Sequence, residues 1–266
     1  MKLILVGAGP GDPDLITLKG IKALRAARVV LYDALVAPEL LDYCPDDCVK
    51  INVGKRYQQQ SCQQDVINLM IVEQVSKFGE VVRLKGGDPF IFGRGFEEAE
   101  YAARFGITTE IIPGISSSYA VPAMAGVPLT VRGLSESFWV ITGTTKHHEL
   151  SSDIQWAARS TATVVILMGM NKLPEIVETF RDAGKNDVGI VIIQNGTLPN
   201  EKIVQGKIGD ILQKATAAAI GSPAVMVIGK VAGLSRDYLS RIAQESQKKD
   251  ADDLSVSCQA TSQNKC

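Results

Sequence analysis

The sequence predicts an α/β protein in which helices cover β-sheets. Apolar runs of strand length alternate with stretches of helical length through both halves of the 266-residue chain. Hydrophobic residues make up 45% and charged residues 21% of the composition, which is typical of a soluble globular protein with a substantial core. Strands are predicted at residues 2–6, 29–32, 81–84, 110–112, 138–142, 163–168, 189–193 and 224–228.

Helices are predicted between these strands from capping residues and from glycines that end them. The first covers residues 17–27, with Thr17 as its N-cap and apolar side chains along one side. A capping box at 61–64 opens the next helix, which ends at Gly79. Further helices are predicted near 97–106, 116–125, 173–182 and 207–218.

The chain is expected to form two domains. A turn-rich stretch at 128–137 separates the two series of alternating elements, and we place the boundary near residue 133. The N-terminal domain then covers 1–133 and the C-terminal domain 134–242. Residues 243–266 are polar and lack periodicity, which predicts a disordered tail.

Charge, hydropathy and cysteine content argue against several classes of protein. The 28 Lys and Arg residues are balanced by 29 Asp and Glu, so no net basic field favours nucleic acid. No apolar run reaches the length of a membrane span, and the N-terminus lacks the features of a signal peptide. The five scattered cysteines predict reduced thiols, and adjacent His147 and His148 do not form a metal pair. We therefore expect a cytoplasmic protein without a metal, a nucleic-acid partner or a membrane contact.

A glycine-rich turn, VGAGPGDPDL at 6–15, follows the first predicted strand. Its glycines at 7, 9 and 11 do not match the spacing of a dinucleotide-binding fingerprint, and the lysine of a phosphate-binding loop is absent. A tight structural turn is one interpretation. Three glycines, two prolines and two aspartates in so short a segment favour a ligand-binding loop instead.

A second motif, RLKGGDPFIFGRGFEE, covers residues 83–98. Gly86 and Gly87 allow the backbone to approach a ligand without a Cβ, and Asp88 precedes a proline that fixes a turn. Apolar residues 90–92 lie beside three cations, Arg83, Lys85 and Arg94. An apolar wall with nearby cations favours a flat, polyanionic ligand over a merely solvated loop.

The third motif, IIPGISSSYAVPAMAGVPLTVRG, covers residues 111–133. Its serines at 116–118 provide hydroxyl groups at a predicted helix start. Arg132 near its end is a candidate for binding a carboxylate. A capping serine run is by itself most often structural, so this motif gains weight only from the other two.

Together the motifs resemble the tetrapyrrole methylase family. The resemblance extends from residue 3 to about residue 234 and includes further segments in the family's order: YDALV (32–36), VGKR (53–56), MGM (168–170), NGTLP (195–199) and SPAVMVIG (222–229). GGDPFIFGRGFEE is the most discriminating segment. It is similar to that of the members that methylate uroporphyrinogen III and differs from the usual sequence of the corrin-ring methylases that act later.

The resemblance implies two α/β domains, each a mixed sheet flanked by helices, with the active site in the cleft between them. It also implies a homodimer that uses S-adenosyl-L-methionine as methyl donor and releases S-adenosyl-L-homocysteine. Uroporphyrinogen III would be methylated at C2 and C7, giving precorrin-2 by way of precorrin-1, for sirohaem or cobalamin biosynthesis. Another tetrapyrrole methylase, such as a precorrin methyltransferase, is the alternative within the family.

The same resemblance assigns residues to roles. Asp33 would be the general base and Lys55 the general acid, while Arg94, Glu97 and Arg132 match positions that hold or orient the tetrapyrrole. Arg83, Lys85 and Lys55-Arg56 are further cations expected near the acidic macrocycle. The donor site would comprise Pro10, Gly86, Gly87, Asp88, Ile91, Ser116, Ser117, Met168, Gly196, Ala224 and Met226.

Three positions depart from the family pattern. Met124 stands where a tyrosine is frequent, Val131 stands where a histidine is frequent, and Thr144 follows Gly143 where a histidine is usual. In this interpretation, the three changes alter the affinity for the substrate or the rate of methyl transfer. Two other classes remain to be distinguished: a nicotinamide or flavin oxidoreductase, whose glycine spacing is not present, and a relative that binds a tetrapyrrole without catalysis.

Overall fold

The computed structural model describes residues 1–54, 64–234 and residue 240, and it contains two five-stranded sheets. The first sheet has the strand order β3-β2-β4-β1-β5. Its helices lie between successive strands along the chain. The elements are β1 (Lys2–Gly7), α1 (Leu18–Arg25), β2 (Val29–Tyr32), β3 (Val49–Asn52), α2 (Gln64–Phe78), β4 (Glu80–Lys85), α3 (Gly95–Ala103) and β5 (Thr108–Ile112).

All four strand pairings of the first sheet are parallel. The expectation of a mixed sheet is therefore wrong for this half, although the α/β class and the flanking helices are confirmed. The physical reason is that the connections between successive strands cross over the sheet and return the chain to the same edge. Its central strands β1, β2 and β4 are consequently buried on both faces, as their continuous apolar runs indicate.

The second sheet is mixed and has the order β6-β7-β10-β8-β9. β6 and β7 are parallel, whereas β10 is antiparallel to β7 and β8, and β9 is antiparallel to β8. The elements are β6 (Phe138–Thr142), α5 (Asp153–Arg159), β7 (Thr163–Leu167), α6 (Leu173–Asp182), β8 (Gly189–Gln194), β9 (Lys202–Lys207), α7 (Ile211–Ala217) and β10 (Ala224–Ile228).

Two of the four edge strands, β3 and β9, are not predicted from the sequence. Most residues of both strands are exposed or half-buried. Polar residues interrupt the apolar ones in their sequences, VKIN in β3 and KIVQGK in β9. An edge strand buries little surface, so it does not need the apolar run by which the other strands were found.

Helix α4 (Ser117–Met124) connects the two halves of the molecule. Its Val121 packs with Ala125 and Val127 against buried valines of β7, β8 and β10. Alternate residues of these strands, such as Ile166, face the opposite layer formed by α5, α6 and α7. The second sheet thus buries one face against α4, which precedes the boundary expected near residue 133. That boundary stays a prediction.

Local sequence signals account for several element ends. The hydroxyl of Thr17 accepts a hydrogen bond of 3.1 Å from the backbone N–H of Gly20, which confirms the predicted N-cap of α1. Pro122 lies inside α4, which is nevertheless continuous from Ser117 to Met124, so an interruption of the helix at this proline is not observed. The first residues of the predicted capping box at 61–64, the residue Lys55 and the predicted tail at 243–266 lie outside the described residues.

Two of the five cysteines can be placed. Cys44 and Cys48 are free thiols, and both are buried beside the apolar layer of the first sheet. Burial raises the pKa of the Cys44 thiol to about 11, which keeps it protonated at neutral pH. Among the described residues, no helix has the length and apolar character needed to cross a membrane.

The core of the second half offers a test of this packing. Phe180 on α6 is 1% exposed and lies in the layer formed by α5, α6 and α7. Phe180→Ala is expected to lower the free energy of unfolding by about 3–5 kcal/mol, because it leaves a cavity that the surrounding residues only partly fill. Urea denaturation measures this loss. Phe105→Ala is the control, since Phe105 is 48% exposed; an equal loss in both variants would contradict the packing described.

Candidate active site

The candidate site lies where the parallel strands of the first sheet end. The carboxyl ends of β1, β2, β4 and β5 share one edge, because all pairings in this sheet are parallel. The chain moves outward from β1 to β2 and β3 and then returns, so that β4 lies between β1 and β2. Ligands of open α/β sheets bind at this kind of edge, beside the point at which the strand order reverses.

Glycines allow the loops at this edge to touch through their main chains. A Cβ placed on Gly114 would lie 2.3 Å from the carbonyl oxygen of Gly87 and 2.6 Å from the Cα of Gly7. Gly9 and Gly87 also exchange backbone hydrogen bonds of 3.3 and 2.7 Å. The loops after β1, β4 and β5 thereby form a continuous backbone surface, here called the glycine platform, made of Gly7, Gly9, Gly87 and Gly114.

Asp88 fixes the shape of this platform. One carboxylate oxygen accepts a hydrogen bond of 2.8 Å from the N–H of Phe90, and the other accepts one of 3.0 Å from the N–H of Gly114. Both carboxylate oxygens are therefore engaged inside the protein. Asp88 joins the loops after β4 and β5, and its proposed contact with a methyl donor stays a prediction.

The serines of the third motif lie at the start of α4. The hydroxyl of Ser116 is buried, accepts a hydrogen bond from the N–H of Ser118 at 3.3 Å and lies 2.9 Å from the Ser118 hydroxyl. Ser116 is therefore the N-cap of α4. Ser117 is half-buried beside it. Ser116 thus has the structural role of a helix cap, and its predicted contact with the methyl donor would be a second role.

The loop that follows β8 in the second sheet lies against the loops of the first sheet. The hydroxyl of Thr197 accepts a hydrogen bond of 3.0 Å from the N–H of Asp12, which follows Pro10 in the first loop. A Cβ on Gly196 would lie 2.3 Å from a methyl group of Val121 on α4. These contacts bring Pro10 and Gly196, predicted from distant parts of the sequence, to the junction of the two halves.

The predicted donor residues on β7 and β10 differ in accessibility. Met168 follows β7, has a φ of +55° and is 53% exposed, so its side chain is available to a ligand. Ala224 is half-buried at the start of β10. Met226 is 0% exposed and packs in the layer of α5, α6 and α7, so its side chain does not line the site in this structure. The alternation of side chains along β10 directs Met226 into the core, and the sequence alone does not show which face of β10 is covered by helices.

Asp33 follows β2 and lies above a buried group of charges. Its Oδ1 accepts a hydrogen bond of 2.5 Å from Arg83, while its Oδ2 lies 4.0 Å from the Nζ of Lys85. Glu98 of α3 accepts bonds from both cations, at 3.2 Å from Arg83 and 2.8 Å from Lys85. Arg83 and Lys85 are 1% and 3% exposed. The expectation that these two cations bind the substrate is therefore wrong, because their charges are already paired inside the protein.

The environment of Lys85 makes its charged form less favourable than in water. Burial lowers the pKa of the ammonium group, and the neighbouring guanidinium of Arg83 lowers it further, whereas Glu98 and Asp33 act in the opposite direction. Lys85 is thus kept close to its anionic partners, because any displacement would leave a buried charge without compensation.

Arg94 and Glu97 form an exposed ion pair at the start of α3. The Nε and one terminal nitrogen of Arg94 donate to the two carboxylate oxygens of Glu97 at 3.0 and 2.6 Å. This pairing raises the pKa of Arg94 and lowers that of Glu97. The other terminal nitrogen of Arg94 has no hydrogen-bond partner among the described residues. Arg132 is exposed in the turn between Val131 and Ser135.

Exposed apolar side chains accompany these charges. Phe90, Ile91 and Phe92 are 48%, 41% and 42% exposed in the loop between β4 and α3. Phe90 also packs edge-on against Phe96, with 6.3 Å between the ring centroids. The apolar wall predicted from the second motif is therefore present, directly after the glycine platform.

Two cavities of about 380 and 480 Å³ lie elsewhere in the second half of the molecule. The first lies between α5 and α6, and the second lies beside the lysines at 185, 207 and 230. Neither is lined by a residue of the predicted site. The candidate site is therefore assigned to the open junction of the two sheet edges, where the motifs come together.

Sequence reasoning missed Glu98, Asp12 and Thr197 as members of this region. Glu98 falls within the helix predicted near 97–106, but the sequence motifs assign it no role. The alternation of Val81, Arg83 and Lys85 along a buried strand was the available signal, because it places both cations on one covered face. The contact between Asp12 and Thr197 has no local signal, since it joins residues 185 positions apart.

Comparison with known proteins agrees with this geometry. Residues 2–212 match the family of tetrapyrrole (corrin/porphyrin) methylases. A uroporphyrinogen-III C-methyltransferase of Methanocaldococcus jannaschii is 44% identical and aligned over 86% of this chain and 96% of its own. A Pseudomonas aeruginosa protein of the same name is 42% identical, over 90% and 96% of the two chains.

Solved structures extend the comparison. A uroporphyrin-III C-methyl transferase of Thermus thermophilus, solved with S-adenyl homocysteine, has a TM-score of 0.75 and 33% identity over 87% of this chain and 98% of its own. A cobalt precorrin-4 methyltransferase has a TM-score of 0.77 and 28% identity, over 87% and 95%. These matches cover both sheets and all three motifs, and the chain belongs to the tetrapyrrole methylase family.

Proposed function

We propose that this protein transfers methyl groups from S-adenosyl-L-methionine to C2 and C7 of uroporphyrinogen III, forming precorrin-2 by way of precorrin-1. The supporting observation is similarity over almost the whole described chain to proteins named uroporphyrinogen-III C-methyltransferase, at 42–44% identity. The site contains a proton acceptor, apolar surface and exposed arginines, which suit a flat macrocycle that carries carboxylates.

The methyl donor is proposed to bind along the glycine platform. Gly87 has a φ of +68°, and a Cβ added there would meet no atom within 4 Å, so the space beside this backbone is open to a ligand. Gly86 precedes it, and Met168 and Gly196 complete the junction from the second sheet. A surface of main chain and apolar side chains places few formal charges beside a sulfonium whose charge disperses during transfer.

The donor supplies an electrophilic methyl group, and the protein aligns it with the acceptor. The methyl–sulfur bond breaks as a new bond forms to a pyrrole carbon, which leaves S-adenosyl-L-homocysteine and a ring that must lose a proton. Holding both reactants in line contributes about 7–11 kcal/mol in well-oriented reactions. Asp33 is proposed to accept the proton, since its side chain retains 29% exposure above the buried cations.

The acceptor is proposed to be held by cations outside the buried cluster. Arg94 has a terminal nitrogen free of Glu97, and Arg132 is exposed, so both can donate to substrate carboxylates. Glu97 orients Arg94 through two hydrogen bonds. The proposed general acid, Lys55, lies outside the described residues and keeps its assignment from the sequence resemblance.

The proposal includes the oligomeric state and the cellular location of the protein. We infer a homodimer in the cytoplasm; the exposed Phe138 and Trp139 of β6, 43% and 40% accessible, provide apolar surface for association. Light scattering of the purified protein measures its mass in solution. A mass that matches one chain at micromolar concentration would contradict the dimer.

Methylation of a different tetrapyrrole is the second candidate function. A cobalt precorrin-4 methyltransferase has nearly the same TM-score as the uroporphyrin enzyme, 0.77 against 0.75, so the fold does not discriminate. Incubation with uroporphyrinogen III and S-adenosyl-L-methionine is expected to add one and then two methyl groups, detected by mass spectrometry. Turnover of a precorrin but not of uroporphyrinogen III would support the alternative, whereas binding without any turnover would indicate a non-catalytic relative.

Asp33→Asn tests the proposed proton acceptor. The amide keeps the size of the side chain and cannot take up the proton, so kcat is expected to fall about 10²–10⁴-fold. Steady-state kinetics measure kcat, and calorimetry with S-adenosyl-L-homocysteine is expected to give an unchanged Kd. Asp46→Asn, an exposed aspartate away from the site, is the control. Wild-type kcat in Asp33→Asn would remove Asp33 from this role.

Gly87→Val tests the donor surface. The valine side chain would occupy the open space beside the glycine platform, and donor binding is expected to be lost in calorimetry. Gly106→Val is a matched control, because Gly106 has a φ of +70° and equally open surroundings at the end of α3. Both variants carry a left-handed strain of about 1–2 kcal/mol. Equal donor affinities in the two variants would place the donor elsewhere.

Arg132→Ala tests the grip on the acceptor. Loss of a hydrogen bond to a charged group costs about 1.5–3 kcal/mol, so kcat/KM is expected to fall tenfold or more. The Kd of S-adenosyl-L-homocysteine should stay the same, since the donor and acceptor surfaces differ. Arg104→Ala removes another exposed arginine, paired with Glu100, and serves as the control. Full activity of Arg132→Ala would exclude it as a substrate contact.

A further inference from the structure

Glu98 lies beneath the proposed proton acceptor, and one of its carboxylate oxygens accepts four hydrogen bonds. Its Oε1 accepts from the Nε and one terminal nitrogen of Arg83, from Lys85 and from Gln64, at 3.3, 3.2, 2.8 and 3.2 Å. Its side chain is fully covered, and its Oε2 is buried without a hydrogen-bond partner among the described residues. All four of these hydrogen bonds are therefore made by one oxygen, and three of them come from the two cations.

The register of β2 and β4 explains why these groups meet. Leu31 pairs with Arg83, and the N–H of Asp33 continues the ladder by donating to the carbonyl of Leu84. Side chains alternate across a strand, so Asp33, Arg83 and Lys85 project from the same face, toward α2 and α3. Among the described residues of those helices, the carboxylate of Glu98 lies beside them, and the neutral amide of Gln64 donates to both Glu98 and Asn68. Arg94 and Glu97 form the next charged pair, outward on α3.

The two oxygens of Asp33 have different surroundings. Oδ1 is held by Arg83 at 2.5 Å, whereas Oδ2 lies 4.0 Å from the Nζ of Lys85, which is beyond hydrogen-bond reach. Lys85 instead lies 2.8 Å from Glu98. Glu98 and Asp33 are thus competing anions for the same ammonium group, and Glu98 has the closer contact.

We propose that Glu98 is a positioning residue that retains Lys85 and thereby leaves Oδ2 of Asp33 open to the acceptor. Arg83 orients Asp33 through a hydrogen bond to Oδ1, and Glu98 in turn accepts hydrogen bonds from Arg83. A charged hydrogen bond is about twice as strong as a neutral one, so Lys85 stays with Glu98 only while Glu98 carries its charge. This inference rests on the proposed function of Asp33, but its geometric part can be tested without catalysis.

The variant Glu98→Gln tests the competition directly. An amide of the same shape holds Lys85 less strongly, and Lys85 is expected to move onto Oδ2 of Asp33, closing the 4.0 Å separation to about 3 Å in a crystal structure. With both oxygens of Asp33 paired, kcat is expected to fall about tenfold or more, while the KM for uroporphyrinogen III and the Kd for S-adenosyl-L-homocysteine stay unchanged. Glu100→Gln, which neutralises an exposed glutamate on the same helix, is the matched control and should keep wild-type kcat.

The double variant Glu98→Gln, Lys85→Met separates positioning from a general loss of structure. Removal of the ammonium group frees Oδ2 again, so kcat is expected to recover relative to Glu98→Gln, although two buried groups are now altered. A purely structural role predicts the reverse, with losses that add. The proposal is overturned if Lys85 remains away from Oδ2 in the Glu98→Gln crystal structure, or if the double variant is slower than the single one. A wild-type protein that does not methylate uroporphyrinogen III would refute the proposed function, while the crystal structure would still decide the role of Glu98.

Discussion

Direct contact between glycine backbones is the constraint on which the candidate site depends. At Gly7 a Cβ would lie 2.4 Å from the Cα of Gly114, and at Gly114 it would lie 2.3 Å from the Gly87 oxygen. Any side chain at these positions would separate the loops after β1, β4 and β5. The hydrogen bond from the Gly114 N–H to Asp88 would then be lost, and α4, which begins shortly afterwards, would no longer be placed against the second sheet.

The second determinant is the division of cations between the interior and the surface. The chain is nearly neutral, so a polyanionic acceptor must be bound by a few well-placed arginines. Arg83 and Lys85 are not among them, because these buried charges are paired with Asp33 and Glu98, and Arg83 also donates to the backbone carbonyls of Leu31 and Leu84. Arg94 and Arg132 remain exposed. The protein therefore uses one pair of cations to organise a carboxylate and keeps the two proposed substrate-binding arginines accessible.

Family membership and substrate choice rest on different features. The two-sheet fold is shared with enzymes named for uroporphyrin and for cobalt precorrin-4, at TM-scores of 0.75 and 0.77. A common fold does not specify a substrate. We propose that the choice depends on residues such as Ile91 and Arg132 in loops and Met124 at the end of α4.

The sequence by itself determined the α/β class, most strands, the N-cap at Thr17 and the three motifs, because apolar periodicity and glycine placement are local properties. It also identified the family, since those motifs occur in a characteristic order. Tertiary structure decided the parallel order of the first sheet, the packing of α4 on the second and the inward position of Met226. It alone showed that Arg83 and Lys85 are enclosed rather than facing a ligand. The physical reason is that strand order, the covered face of a strand and the partner of a charge depend on residues far apart in the chain, as in the contact between Asp12 and Thr197.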